Sequence, residues 1–501
     1  MNPQVLICGA GPTGLMLALR LARAGVRLRI VDAAAEPGTT SRALVVHART
    51  IEFYRQIGLA EAYLKEALPF VAANLWVRAH RVARVPVGDL GKGISPYPYL
   101  TVCPQDRHER FLIGQLERVG VPVERPVKLL GFEEQDDRVR ATLLRADGTE
   151  ESCEASYIAG CDGAHSRVRE VLDVGFPGGT YAHFFYVADV EARGPVMNDE
   201  LHAALDTADF LAIFPLMGGH TGRLIGTIQS EDEQRRESLR FEDVGADAIA
   251  RLGVTVDRVN WFSTYRVHHR VAERFRRGRA FLLGDAAHIH SPAGGQGMNT
   301  GLGDAVNLAW KLADVLSARA KPSLLDSYEP ERIAFARRLV NTTDRAFVIA
   351  TSDGRLARFV RLHVVPRLVP RLFDSRALRR FMFRTISQTS IHYRGSPLST
   401  GAAGAVHGGD RLPWVEAVDN FAALDGSTWQ VHVYGTPAPG VEAACQRSKL
   451  ALHAFTWQPA MRAAGLARDA LYLVRPDGHV ALAATASAPA ALADYVARLA
   501  P

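Results

Sequence analysis

The stretch Val5-Leu6-Ile7-Cys8-Gly9-Ala10-Gly11-Pro12-Thr13-Gly14 decides the fold of this chain. A short apolar strand runs directly into Gly-x-Gly-x-x-Gly. In this pattern Gly9 allows the tight strand-to-helix turn, Gly11 lets the backbone approach a pyrophosphate, and Gly14 lets the helix pack close to the strand. The helix that begins near Pro12 points its free N–H groups and positive dipole end at the phosphates.

The residues after this turn complete a β-α-β unit. The helix ends near Gly25, and a second strand, Val26 to Val31, ends at Asp32. An acid at this distance from the glycines accepts hydrogen bonds from a ribose. A strand-ending Asp after a tight turn also occurs in other α/β proteins, but strand, helix and acid together predict that the chain binds an adenine dinucleotide.

A second glycine-rich region lies far downstream. The run Arg279 to His288 contains Gly284-Asp285-Ala286-Ala287-His288, and Ser291 to Gly301 contains Gly294-Gly295-Gln296-Gly297. One glycine motif alone is weak evidence. The pair indicates a bound flavin, because the second motif would close on the other end of the same cofactor. The alternative for Asp285 is a helix N-cap.

Composition favours an ordinary enzyme of several domains. A chain of 501 residues with 48% hydrophobic and 22% charged residues is typical of a two- or three-domain α/β protein. Its five scattered cysteines lack metal or redox spacing, which predicts reduced thiols and a cytoplasmic location. No stretch has the apolar length of a membrane span, and the net charge of +6 comes without a nucleic-acid-binding signature, so neither partner is predicted.

The pattern along the chain divides it into four parts. Residues 1–175 hold the first part of the nucleotide-binding domain, and residues 176–270 turn strand-like, which predicts an inserted, mostly antiparallel β domain that takes the substrate. Residues 271–395 return to the nucleotide-binding domain and continue as helices. A Gly/Ala-rich joint then opens a final domain over residues 396–501.

The helical part carries an arginine-rich stretch. From Arg355 to Arg384 there are nine arginines and one opposing acid, Asp374. Such a stretch contacts anionic membranes, captures a phosphorylated cosubstrate, or forms solvated arginine faces. The third interpretation is the commonest and is preferred.

The chain resembles a known family. The Gly-x-Gly-x-x-Gly start, Asp162-Gly163 with Ser166 and Arg169, the Gly284 to His288 block and its continuation from Gly303 to Leu312 resemble the single-component FAD-dependent aromatic hydroxylases, which are flavoprotein monooxygenases. The likeness covers about the first 395 residues. It implies a Rossmann-like FAD-binding domain with an inserted β substrate domain.

The tail resembles the thioredoxin-like α/β domain of phenol hydroxylases and of aromatic polyketide hydroxylases. Its only cysteine is Cys445, so a Cys-x-x-Cys motif is absent. We therefore expect a structural, separately packed domain that contributes no catalytic group.

The resemblance also implies roles for individual residues. Gly9, Gly11, Thr13 and Gly14 would hold the FAD pyrophosphate, with Asp32 on the adenosine ribose. The arginine of Ser41-Arg42-Ala43 would reach the cofactor, and a cation suits phosphate there. The residues expected at the flavin end are Gln105 and Asp285 on the sugar-alcohol chain, and Gly297, Met298 and Asn299, whose N–H groups face the flavin pyrimidine.

The substrate is expected between the β insert and the flavin. Candidates for the lining are Phe210, Phe214 and Pro215, with Pro292, Gly294 and Gly295 forming the loop at the flavin face. The same aromatics suit a plain sheet core equally well. No residue is identified as the catalytic base. His288 and His290 lack a third ligand at metal spacing, so no metal is predicted.

The implied reaction is a monooxygenation. NADPH or NADH reduces FAD, O2 adds at C4a, and the hydroperoxide transfers an OH group to an electron-rich aromatic substrate. With one dinucleotide motif in the chain, NAD(P)H is expected to bind transiently; a homodimer is left open. The alternatives are Baeyer–Villiger oxygen insertion on the same scaffold and a non-catalytic flavin-binding interaction protein. The halogenase signature Trp-x-Trp-x-Ile-Pro is absent.

Overall fold

The computed structural model describes residues 2–39, 43–205, 210–228, 239–244, 246–291, 293–351, 359–485 and 489–500. The predicted contact residues Arg42 and Pro292 lie outside these ranges. The strands, numbered in chain order, are β1 (Val5–Cys8), β2 (Leu28–Val31), β3 (Val45–Val46), β4 (Leu68–Pro69), β5 (Ala72–Val77), β6 (His80–Pro86), β7 (Thr101–Val102), β8 (Val123–Glu124), β9 (Val127–Gln135), β10 (Arg138–Arg145), β11 (Glu150–Ala155), β12 (Tyr157–Gly160), β13 (Gly178–Arg193), β14 (Leu201–Leu205), β15 (Phe210–Pro215), β16 (Thr221–Ile228), β17 (Thr255–Val271), β18 (Arg276–Arg277), β19 (Ala280–Leu282), β20 (His288–Ile289), β21 (Thr400–Ala403), β22 (Val406–His407), β23 (Gln430–Tyr434), β24 (Ala451–Phe455), β25 (Leu471–Val474) and β26 (Val480–Ala484).

Helices alternate with these strands in the first part of the chain and dominate residues 296–386. They are α1 (Pro12–Arg23), α2 (Ala48–Gln56), α3 (Ala60–Leu64), α4 (Gln105–Arg118), α5 (Arg167–Val171), α6 (Ala246–Arg251), α7 (Gln296–Leu316), α8 (Tyr328–Thr351), α9 (Val365–Asp374), α10 (Arg376–Ile386), α11 (Val441–Arg447), α12 (Pro459–Ala463) and α13 (Pro489–Leu499).

The nucleotide-binding sheet has the strand order β18-β19-β12-β1-β2-β8. β1 lies in the middle and pairs in parallel with both β2 and β12. All four of its residues are buried, as expected for a parallel strand covered on both faces. The helices α1 and α7 pack against each other, so the turn after β1 meets the start of α7 at one edge of this sheet.

A second, larger sheet forms the β insert, in the order β20-β17-β13-β16-β15-β14-β5-β6. Most of its pairs are antiparallel; β14 and β5 pair in parallel. The strands β5 and β6 come from residues 72–86, outside the predicted range 176–270, so the sheet combines two separate parts of the chain. The four-part division itself stays a prediction.

The two faces of this larger sheet have different partners, because side chains alternate along a strand. Tyr186 and Ala188 of β13 face a core that includes Ile249 of α6. Phe185 and Val187 of the same strand face the other way and pack with Leu44, Val45 and Val102 of the nucleotide-binding domain. This second surface, which we call the flavin-side face, is where substrate is expected.

The final domain is a mixed sheet in the order β22-β21-β26-β25-β23-β24, with α11 and α13 packed on one side. β23 pairs in parallel with β24 and antiparallel with β25. The domain has cores of its own, but buried ion pairs also join it to α2 and α8, described below. Separate packing of this domain, expected from the sequence, therefore stays a prediction.

Other sequence expectations concern charge and thiols. Among the arginines of the 355–384 stretch, those described in α9 and α10 include exposed side chains at Arg367, Arg371, Arg380 and Arg384. All five cysteines are buried free thiols. Within the described ranges, no helix is both long and apolar enough to cross a membrane, and no cluster of three or more His, Cys, Asp or Glu could hold a metal.

Candidate active site

Of the three glycines in the turn after β1, only Gly11 has open space beside its Cα. Gly9 has φ 101°, and a Cβ there would lie 2.2 Å from the Cys161 carbonyl oxygen; one on Gly14 would lie 2.0 Å from the Gly9 carbonyl oxygen. Both glycines are therefore required by packing. A Cβ on Gly11 meets nothing closer than Glu109 Oε1 at 4.0 Å. The open side of Gly11, at the N-terminus of α1, fits a pyrophosphate.

Asp32 is held in place by this same turn. Its Oδ2 accepts from the Ala10 amide at 2.7 Å, and its Oδ1 lies 2.9 Å from Arg125 Nη1. Arg125 also donates to the carbonyl of Ala34. Arg125 is an isolated arginine before a proline and carries no sequence motif, so only the fold brings it to the predicted ribose position.

Thr13 connects the two glycine motifs. A Cβ on Gly284 would lie 2.7 Å from Thr13 Oγ1, and one on Gly301 would lie 2.2 Å from the same atom. The Thr13 hydroxyl thus packs between the Gly-Asp turn and α7. Its side chain works as a spacer between the motifs, whereas the predicted contact with pyrophosphate would have to come from its backbone at the start of α1.

The turn that carries Asp285 is held by a hydrogen bond to Asp304 of α7. Gly284, with φ 57°, donates its amide to Asp304 Oδ2 at 3.0 Å, and His288 Nε2 lies 2.7 Å from that oxygen. Arg169 donates to the Ala286 carbonyl at 2.9 Å. The side chain of Asp285 itself is exposed, on the open side of the turn.

Asn299 binds two segments of the site together. Its Oδ1 accepts from the His47 amide (2.9 Å) and from Thr50 Oγ1 (2.8 Å), and its Nδ2 donates to the carbonyls of Val45 and Gly295 (2.8 Å each). The side chain is 1% exposed. It therefore positions the loop, and only the backbone of Asn299, with that of Gly297 and Met298 in the first turn of α7, is available to a flavin.

The loop at the predicted flavin face adopts left-handed backbone. Gly294 has φ 75° and Gly295 has φ 62°, which explains two successive glycines. His47 Nε2 lies 3.0 Å from the Gly294 carbonyl oxygen. Burial lowers the pKa of His47 to about 4, against the opposing effect of that hydrogen bond. His47 is therefore a neutral donor to the loop, and sequence reasoning had missed it.

Gln105 begins α4 next to the segment that precedes β3. Its backbone amide donates to the Ala43 carbonyl at 3.0 Å, and its side chain donates to Glu109 Oε1 at 2.8 Å. Burial raises the pKa of Glu109 above its ordinary value. Gln105, Gly11 and Ala43 thus lie around one opening.

The flavin-side face of the large sheet carries two of the three predicted substrate residues. Phe214 packs against Phe70, with ring centroids 6.1 Å apart, and Phe210 has the same parity along β15. Pro215 has the opposite parity and pairs with Gly222, whose own Cβ position faces Met197 in the core behind the sheet. Pro215 therefore lies on the opposite face from Phe214, because adjacent strand residues point to opposite faces, and its role in lining the site stays a prediction from the sequence alone.

A buried ion pair lies on the same face. Arg223 donates from Nε and Nη2 to the two carboxylate oxygens of Asp189 at 2.6 and 2.7 Å, and its Nη1 reaches the Ala43 carbonyl at 3.4 Å. Arg223 is 1% exposed, whereas the Asp189 side chain is 23% exposed. This pair ties the sheet to the chain next to the predicted Arg42 loop. No sequence motif marks it.

Comparison with known proteins agrees with this geometry. Residues 2–343 match the family model described as an FAD binding domain. The chain is 37% identical over 425 residues to 6-methylpretetramide 4-monooxygenase of Streptomyces rimosus, covering 83% of this chain and 75% of that protein. It is 33% identical over 407 residues to rifampicin monooxygenase of Rhodococcus hoagii, covering 78% and 79%. The solved structure of the OxyS anhydrotetracycline hydroxylase from Streptomyces rimosus superposes with a TM-score of 0.80 at 30% identity, covering 100% and 99%.

The chain belongs to this FAD-binding family. It is an FAD-dependent monooxygenase, and NAD(P)H is its reductant. The predictions of the family, the α/β fold class, the cofactor and the enzyme class are thereby confirmed.

Proposed function

We propose that this enzyme hydroxylates a phenolic ring of a polycyclic aromatic substrate, bound between the flavin-side face and the loop Ala293–Gly295. The observation that carries the proposal is the position of Val45. Val45 packs in the flavin-side core, and its Cβ lies 2.7 Å from where a Cβ of Gly295 would be. The loop and the aromatic sheet face thus share one wall, whose shape suits a planar molecule. The relatives named for tetracycline-type and rifampicin substrates support large rings.

In this proposal the protein positions the reactants, and the bound flavin supplies the oxygen transfer. Gly11 and the N-terminus of α1 hold the pyrophosphate. Asp32 takes the adenosine ribose, Asp285 and Gln105 take the sugar-alcohol chain, and the first turn of α7 directs N–H groups at the flavin pyrimidine. Arg42 and Pro292, outside the described residues, are kept as proposed contacts from the sequence alone.

Several residues then prepare the loop for chemistry. His47 and Asn299 donate hydrogen bonds to the Gly294 and Gly295 carbonyls and so fix the loop. Since neither glycine carries a side chain, a ring can approach backbone there. The Asp189 carboxylate is paired with Arg223 but lies partly exposed at the same face, where one of its oxygens can accept a hydrogen bond from a substrate hydroxyl.

The test is labelled oxygen with a panel of substrates. We would follow NADPH and NADH oxidation with monocyclic phenols, naphthols and tetracyclic phenols, and then analyse products formed under 18O2 by mass spectrometry. One 18O atom in a ring hydroxyl of a polycyclic product is expected. An ester or lactone oxygen would instead establish Baeyer–Villiger insertion. Product without 18O, or a rate of NAD(P)H oxidation that no member of the panel increases, would refute monooxygenation of this substrate class.

A pair of neighbours on β15 provides a matched control. Phe214 faces the flavin side, whereas Ile213 packs in the core behind the sheet. Phe214→Leu should raise KM for polycyclic phenols and increase uncoupled NAD(P)H oxidation, while Ile213→Val should lower stability without changing coupling. Equal effects on KM in both variants would contradict the proposed surface.

A further inference from the structure

The C-terminal domain reaches the turn that carries Asp285 through a continuous buried chain of ion pairs and hydrogen bonds. It begins at Asp304, whose carboxylate holds the Gly284 amide at 3.0 Å. Arg332 of α8 donates from Nε to Asp304 Oδ1 at 2.5 Å and from Nη1 to the Tyr393 hydroxyl at 2.9 Å. Arg332 is 1% exposed and Asp304 is fully buried.

Tyr393 connects Arg332 to the final domain. Its ring lies 4.5 Å from that of His479 and 5.2 Å from the Arg475 guanidinium, and its backbone amide donates to the Gly409 carbonyl at 2.8 Å. His479 and Arg475 belong to the last hairpin of the chain. The tyrosine is thus packed on one side by the C-terminal domain and hydrogen-bonded on the other to the arginine that holds Asp304.

A second set of buried ion pairs holds the same turn of α8. Glu331, adjacent to Arg332, accepts from Arg475 Nη1 and Nη2 at 2.8 and 3.0 Å and from Lys311 Nζ at 2.8 Å. Burial alone would raise the pKa of Glu331, but the charges of Arg475 and Lys311 hold it below its ordinary value. Asp477 completes the cluster by pairing with Arg475.

We infer that the C-terminal domain positions the flavin turn Gly284-Asp285, with Arg475, Tyr393 and Arg332 as its positioning residues. A buried arginine held at both ends cannot shift without leaving a charge unpaired, so its position defines that of Asp304 and of the Gly284 amide. The tail then contributes no reacting group and yet determines flavin binding. The inference rests on the proposed place of Asp285 at the flavin.

The experiment uses two tyrosines of the full-length protein. Tyr393→Phe removes the hydroxyl that accepts from Arg332. Tyr495→Phe removes a hydroxyl that is equally buried in the same part of the chain but donates to the Leu398 carbonyl at 2.8 Å, away from Asp304. Hydrogen exchange of the peptide over residues 280–291 in the cofactor-free protein, and the FAD dissociation constant, are measured for both.

We expect Tyr393→Phe to speed exchange at this peptide and to weaken FAD binding by about fivefold, while Tyr495→Phe changes both by less than about twofold. Arg475→Met should give a larger change, with partial rescue in Arg475→Lys. Identical results for the two tyrosine variants would overturn the inference. Asp285→Asn separates it from the proposed site: if Asp285→Asn weakens FAD binding and Tyr393→Phe does not, the relay alone is wrong, and if Asp285→Asn has no effect, the placement of Asp285 is wrong.

Discussion

Replacing Asn299 by aspartate should break the hydrogen bonds that hold the loop Ala293–Gly295, which we call the flavin-face loop, although the two side chains have almost the same shape. Asn299 Nδ2 donates to the Val45 and Gly295 carbonyls, both at 2.8 Å. In Asn299→Asp an oxygen faces these two carbonyls instead. Each buried acceptor left without a donor costs about 1–3 kcal/mol, so we expect a loss of about 2–6 kcal/mol in unfolding free energy, and more when the carboxyl is ionised.

The pH dependence of this variant gives a second, independent signature. A buried carboxyl has a folded-state pKa above its unfolded value of about 3.9, so the folded state binds the proton more tightly. The variant should therefore gain stability relative to the wild type as pH falls, because the protonated group donates to one carbonyl. It should lose stability as pH rises through its folded-state pKa.

The assay is urea unfolding and FAD titration of both proteins across pH, with the wild-type value subtracted at each pH. Asn420 is the matched control. It is fully buried in the final domain, and its Nδ2 donates to the Pro413 carbonyl at 2.9 Å and the Tyr434 hydroxyl at 2.6 Å. Asn420→Asp should lose comparable stability with a smaller loss of FAD affinity. Unchanged FAD affinity in Asn299→Asp at alkaline pH, or equal losses in both variants, would refute the role assigned to Asn299.

Three further predictions follow from buried groups and glycines. Truncation after Ser399 removes Arg411 and Arg475, the partners of buried Glu52 and Glu331. Breaking one such buried pair costs about 3–5 kcal/mol, so the fragment should lose FAD on gel filtration. A yellow, monomeric fragment would contradict this prediction. Burial lowers the pKa of His47, His290 and His479 to about 4, so below about pH 6.5 the unfolded state binds more protons than the folded state. The free energy of unfolding should therefore decrease as the pH is lowered from about 6.5 to about 4. Thermal unfolding that is independent of pH in this window would show that these histidines are not buried. Gly295→Val places a Cβ 2.7 Å from Val45 Cβ in addition to the strain of a positive φ, and should lower the unfolding temperature. A Cβ on Gly294 meets nothing closer than Gln296 at 3.4 Å, so Gly294→Ala carries only the strain of its φ of 75° and should lose less stability, bind FAD and alter coupling; the reverse order of stabilities would contradict the loop geometry.

The parts of the site that could be predicted are those whose constraints act locally. Gly14 is dictated by the Gly9 carbonyl in the same turn, so this spacing is visible in the sequence, whereas the contact that requires Gly9 is made with the distant Cys161 carbonyl. Even there, the second strand begins at Leu28 and not at Val26, because the two residues after Gly25 complete the turn. The Gly-Asp turn is visible in the sequence as a second glycine-rich block, but the role expected of Asp285 came only from the likeness to a family.

The residues that could not be predicted act across long separations. Arg125 reaches Asp32, Arg223 reaches Ala43, and Arg475 reaches Glu331 only after three sheets have assembled. Arginine is common and carries no periodic signal, so its partner cannot be read from spacing. The contact predicted for Asn299 is that of its backbone N–H with the flavin, and no pattern in the sequence indicated that its side chain makes four hydrogen bonds to the protein.

Pro215 shows that a correct strand assignment does not by itself say which face of the sheet a residue lies on. The alternation along β15 is plain in Phe210 to Pro215, but nothing in that segment says which parity faces the flavin. The choice is made by Leu44 and Val45, which lie about 170 residues earlier and pack against only one face. Because Asn299 and His47 fix the segment around Val45 to the flavin-face loop, the same short segment that selects the sheet face also places the loop. A change at Val45 should therefore alter substrate lining and loop geometry together, and these two properties of the site are not independent.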